Sequence, residues 1–115
     1  MNRKPEVEAR VTFLRREEGG RQASPDLSGG HYRPHVVVGD PNQREAVVGS
    51  DGVVAEEYLG VQFTASDQPC EQGSPLVVTL QLIYAPHVGY ERLAPGATFT
   101  IREGARVVGF GEVLR

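Results

Sequence analysis

The chain has 115 residues, a formal net charge of −3, one cysteine, 14 glycines and 8 prolines. This length suits one domain, and no apolar run approaches the ~18 residues of a membrane span or the core of a signal peptide. The acidic balance argues against a large nucleic-acid footprint, and Cys70 has no second cysteine to pair with, so we expect a cytoplasmic protein.

Alternating polar and apolar residues predict β-strands along most of the chain. Strands are predicted at residues 6–14, 32–38, 76–84, 98–103 and 105–114, with a further strand near 61–63. Residues 53–63 are ambiguous, because their first half equally suits a helical turn, and Val47-Val48 is a candidate short pairing segment. Short strands without a ten-residue helical pattern predict an all-β barrel or sandwich, preceded by a flexible tail at residues 1–5.

Two parts of the chain are unusual, one in loop length and the other in charge. Residues 15–30 form a long loop, a length that is usually functional or poorly ordered inside a small domain. Residues 36–93 carry a charge balance of −6, against +2 for residues 1–35 and +1 for residues 94–115. The acidic middle therefore disfavours a partner that is itself strongly negative.

Strings near both ends of the chain match a known pattern. Glu17-Glu18-Gly19-Gly20-Arg21 leads through a short loop to Tyr32-Arg33-Pro34, and Pro95-Gly96 precedes Phe99-Thr100-Ile101-Arg102-Glu103-Gly104-Ala105-Arg106. In this order they resemble the third, C-terminal domain of translation elongation factor Tu. Residues 39–73 are longer and more acidic than the family's equivalent, and residues 84–93 are also expanded.

The resemblance implies a closed six-stranded antiparallel barrel spanning residues 1–115 as a single domain. In the family, the GTPase chemistry belongs to a different, N-terminal domain, and this sequence has no Gly-x-x-x-x-Gly-Lys-Ser/Thr phosphate loop. We therefore expect neither nucleotide binding nor enzymatic activity. No catalytic residue, cofactor or metal ligand is predicted: His31 and His35 are too far apart on a strand to share a metal, and Cys70 lacks a recognisable base.

The resemblance also implies where a macromolecule would bind. In the family, the positions matching Arg21, Gln22, His35 and Gly104 meet the T-stem backbone of transfer RNA, although the family usually has histidine and glutamine where this chain has Gln22 and His35. Arg33 is a further candidate for contact with phosphate. The competing interpretation is that the arginines only brace the long loop.

The bracing hypothesis pairs Arg21, Arg33 and Arg106 with Glu17, Glu18 and Glu103, pinning the loop against the last hairpin. Arg102, Glu103 and Arg106 can form a solvated charge ladder. They can equally hold residues 15–30, because the terminal strands of a closed barrel are neighbours. Our first hypothesis for the function is a non-catalytic module that binds a protein partner through residues 15–34 and the terminal hairpin. The alternative is a translation-associated accessory that keeps the transfer-RNA contact.

Overall fold

The protein is an all-β barrel in the computed structural model, which describes residues 5–53 and 55–115. Apart from Pro5, the predicted tail at residues 1–5 lies outside the described residues. The six strands are β1 Glu6–Phe13, β2 His35–Val38, β3 Leu59–Ser66, β4 Leu76–Leu82, β5 Thr98–Glu103 and β6 Arg106–Val113. The helices of the described residues are three short 3-10 turns, at Arg16–Glu18, Ser28–Gly30 and Val88–Arg92, and none of them is long or apolar enough to cross a bilayer.

The strands close into one antiparallel barrel in the order β1-β4-β3-β2-β5-β6, because β6 also pairs with β1. The registers define two ends. Glu6, at the start of β1, is opposite Gln81 near the end of β4, whereas Phe13, at the end of β1, is opposite Gly109. The connections 14–34 and 67–75 and the β5–β6 turn therefore share one end, and residues 83–97 lie at the other.

Alternation along the strands fills the barrel with large side chains. Phe13, Phe63 and Phe99 are completely or almost completely buried. Gly111 on β6 leaves room for one of these rings: a Cβ there would lie 2.7 Å from Cζ of Phe99 and 2.7 Å from the carbonyl oxygen of Arg10. The closed six-stranded barrel expected from the sequence is the architecture of the protein.

Three elements begin or end at residues other than those predicted from the sequence. The second strand begins at His35, not at residue 32, since Pro34 has no N–H to give to the ladder. The ambiguous segment resolves as strand from Leu59 onward, without the alternative helical turn. The fourth strand ends at Leu82, two residues early, and Tyr84 turns out into solvent with 65% of its surface exposed.

Candidate functional site

Three chain segments meet at the end of the barrel where β1 finishes. They are residues 14–34, residues 67–75 and the β5–β6 turn at residues 103–106. Gly104 in that turn has a φ of +63°, a left-handed conformation that favours glycine. We call this end the loop face.

Arg21, Tyr32 and Glu103 form a half-buried cluster on the loop face. The Arg21 guanidinium donates from Nη1 to Oε2 of Glu103, and the Tyr32 hydroxyl donates to the same oxygen at 2.6 Å. The guanidinium also lies over the Tyr32 ring, 5.6 Å from its centroid. Burial raises the pKa of Tyr32, and the bond to Glu103 raises it further, so the hydroxyl remains a donor across the physiological range. Arg21 and Glu103, which belong to the sets of arginines and glutamates expected to pair, form an ion pair.

Arg106 holds the long loop through main-chain oxygens. Its Nε donates to the carbonyl of Gly19 at 3.1 Å, and its Nη2 donates to the carbonyl of Gly20. The expectation that Arg106 pairs with one of Glu17, Glu18 and Glu103 is therefore wrong for the described residues. The physical reason is local: the 3-10 turn ending at Gly19, whose φ is +93°, leaves two carbonyls free at the hairpin.

The two predicted carboxylate partners have other surroundings. Glu18 folds back on its own turn, where Oε1 accepts from the backbone N–H of Arg15 at 3.0 Å. Glu17 is exposed. Of the ion pairs that the bracing hypothesis allows among these arginines and glutamates, the described residues contain the one between Arg21 and Glu103.

Gln72 is a bracing residue that the sequence did not reveal. Its Nε2 donates to the carbonyl of Leu14 at 3.0 Å and to that of Arg21 at 2.7 Å. The neighbouring backbone N–H of Gly73 donates to the carbonyl of Phe13 at 2.7 Å. Residues 67–75 thus hold the loop at Leu14 and at Arg21, the two ends of its first part. No sequence pattern predicts that a side-chain amide will bind carbonyls more than 50 residues away.

The residues expected to contact RNA do not form one cationic patch. Gln22, Arg33 and Gly104 are exposed, whereas Arg21 is half-buried against Glu103. His35 lies on the outer face of β2, where its ring centroid is 5.7 Å from that of Tyr58. The structure therefore brings Arg21 and the β5–β6 turn together and leaves His35 in an aromatic environment.

Arg102 differs from both interpretations made from the sequence. It is neither a solvated charge nor a support for residues 15–30, because its side chain is completely buried and binds Glu56 with two hydrogen bonds of 2.9 and 3.0 Å. Glu56 also accepts from the backbone N–H of Val47 and from the side chain of Gln43. The acidic segment 39–58 is therefore fastened over the outer face of β5.

Comparison with known proteins adds no relative to this geometry: the chain matches no protein-family model and no curated protein sequence. The function has to be argued from the chain's own surfaces.

Proposed function

We propose that this protein is a non-catalytic binding module, resembling the C-terminal barrel of elongation factor Tu, that binds a protein partner through the loop face. The observation that supports this proposal is the bracing of a long polar loop. Residues 15–34 contain exposed charges and few large apolar side chains, yet Arg21, Gln72 and Arg106 hold their backbone against the barrel. A prearranged loop loses less conformational entropy when it binds a partner.

The charges of the loop face favour a protein over RNA. The exposed charged side chains of residues 15–34 are three arginines and three acids, namely Arg15, Arg16, Arg33, Glu17, Glu18 and Asp26. The positive charge of Arg21 is compensated by Glu103, and the guanidinium of Arg106 donates hydrogen bonds to main-chain carbonyls. A phosphate backbone needs an excess of free cations, whereas a protein surface accepts a balanced set of charges.

The test compares captures from native lysate by three immobilised proteins. They are the natural protein, the double variant Gln22→Glu with Arg33→Glu, and a control variant, Arg10→Glu, on the outer face of β1. A partner of the loop face is retained by the natural protein and the control and lost by the double variant. If every captured protein behaves alike with all three, the loop face is not the binding surface.

The transfer-RNA alternative has its own measurement. If Arg33 reaches a phosphate, transfer RNA should bind with an affinity that falls steeply with salt, and Arg33→Ala should lower the slope by about one unit. Absence of a complex in gel shifts at low salt removes this alternative.

A further inference from the structure

Four aromatic side chains gather where residues 83–97 meet the start of β3. Tyr58, Tyr84, His87 and Tyr90 line a cleft of about 110 Å³ whose floor is Leu59 and Gly60. Three of the four tyrosines of the chain are therefore in one place. We call this feature the aromatic cleft.

The cleft is built into the fold. The Tyr90 hydroxyl donates to the carbonyl of Gly60 and accepts from the backbone N–H of Tyr84 at 3.0 Å. The Tyr84 ring lies directly on Gly60, since a Cβ there would be 2.5 Å from Cε2 of the ring. Gly60 thus makes the space in which an exposed tyrosine ring rests, and the ring is positioned before any partner arrives.

The polar groups of the cleft have hydrogens available to donate. Nδ1 of His87 accepts from the backbone N–H of Gly89 at 3.0 Å, which puts the proton of the neutral ring on Nε2. The Tyr58 hydroxyl accepts from Arg102 at 3.2 Å, so its own hydrogen is available. Within residues 5–53 and 55–115, the hydroxyl hydrogens of Tyr58 and Tyr84 have no acceptor. A ligand that offers carbonyl oxygens or other acceptors matches these groups.

The size of the cleft limits what it holds. Small-molecule sites usually enclose ~300–1,000 Å³, and about 110 Å³ has room for one ring or side chain. A polymer that inserts one residue and continues across the surface fits better than a free metabolite.

We propose that the aromatic cleft binds a proline-rich segment of another protein in the polyproline II conformation. Proline contributes a carbonyl acceptor without an N–H, and its ring packs on tyrosine faces at a low entropic cost because the segment is already extended. The rim adds charge complementarity. Glu91 and Arg92 belong to the 3-10 turn that contains Tyr90, Glu57 pairs with Arg92, and these three side chains have a net charge of −1. We therefore expect a basic residue beside the prolines.

Single-stranded RNA is the competing polymer, because bases also stack on aromatic rings. The carboxylates at the rim repel phosphates, and the Arg92 guanidinium already pairs with Glu57 at 3.5 Å. The observations therefore favour the peptide.

The experiment titrates the protein with a synthetic decaproline peptide ending in two arginines and follows backbone amide signals by NMR. The proposal expects shifts confined to Gly60, Tyr84, His87 and their neighbours. Tyr84→Ala should weaken binding about tenfold, and Tyr84→Phe, which keeps the ring and loses the donor, should lie between. Val48→Ala is the matched control, since Val48 is similarly exposed, at 55%, on the segment 39–58.

Several results would overturn the proposal: no shifts at millimolar peptide, equal binding of a glycine–serine peptide, unchanged binding by Tyr84→Ala, or tighter binding of oligouridylate at the same residues. Unfolding curves of each variant separate lost binding from lost folding. The two tests use different residues: the titration reports on Tyr84 and its neighbours in the cleft, whereas the lysate captures compare variants of Gln22 and Arg33.

Discussion

Arg102 and Glu56 are joined by two parallel hydrogen bonds inside the protein, although they are 46 residues apart in the chain. Nε of the same guanidinium donates to Oγ1 of Thr100 at 2.9 Å, and Nη1 also reaches the Tyr58 hydroxyl. No side-chain nitrogen or oxygen buried within the described residues lacks a hydrogen-bond partner. A buried guanidinium is stable only with such complete compensation.

Glu56→Gln should destabilise the protein by about 3 kcal/mol, because it leaves a buried positive charge without its counter-charge. The matched control is Glu57→Gln, which removes the adjacent, exposed carboxylate and its 3.5 Å pair with Arg92, and it should cost less than about 1 kcal/mol. Urea unfolding measures both. Equal midpoints for the two variants would show that the buried pair contributes nothing special.

The same pair predicts a pH dependence. The hydrogen bonds from Arg102 lower the pKa of Glu56 from 4.5 to about 2. A carboxyl whose pKa falls on folding stabilises the folded state fully above its ordinary pKa, and this stabilisation is lost as the pH falls toward the folded value. The difference in unfolding free energy between the natural protein and Glu56→Gln should therefore be constant above pH 5 and shrink between about pH 4.5 and 2. A difference that does not change with pH contradicts this assignment.

Arg106→Ala should loosen the loop face without unfolding the barrel. It removes the two bonds to the carbonyls of Gly19 and Gly20, at a cost of about 1 kcal/mol in stability. Hydrogen exchange should accelerate at Gly19 and Gly20 and stay unchanged in β4. Arg16→Ala, at an exposed arginine of the same loop, is the control, and an equal acceleration there would mean that Arg106 has no bracing role.

Two glycines should respond to alanine for different reasons. Gly111→Ala puts a methyl group 2.7 Å from a backbone oxygen and 2.7 Å from the Phe99 ring, and such overpacking costs ~1–3 kcal/mol or more. Gly104→Ala meets nothing within 4 Å but must keep a φ of +63°, which costs about 1 kcal/mol. Urea unfolding should rank Gly111→Ala as the more harmful, and the reverse order would contradict the packing described for β6.

The strands were predictable where alternation is a local property, as in β1, β5 and β6. Residues 55–58 were not, because Ala55, Glu56 and Glu57 suit a helical turn by themselves. Their actual path is fixed by the bond between Glu56 and Arg102, a contact between distant residues that a local pattern does not contain. The early end of β4 is similar, since Tyr84 leaves the strand to rest on Gly60.

The candidate surfaces were predictable only in part. A closed barrel makes its terminal strands neighbours. For this reason the sequence predicted that arginines and glutamates would join the long loop to the last hairpin, but it did not say which of them pair. The acceptors of Arg106 and Gln72 are main-chain carbonyls, which have no residue signature. The aromatic cleft could not be predicted from a local sequence pattern, because Tyr58, Tyr84 and Tyr90 are far apart along the chain or out of phase with a strand pattern.

Closure of the barrel also decides how a partner can be recognised. Within the described residues, each of the six barrel strands has a neighbouring strand on both sides, so the barrel has no edge strand to offer to an incoming chain. Binding by addition of a strand, and sheet-to-sheet aggregation by the same route, both need such a free edge. Specific recognition of a partner by the barrel therefore depends on side chains and loops. These can change by mutation while the backbone hydrogen bonds of the barrel stay the same.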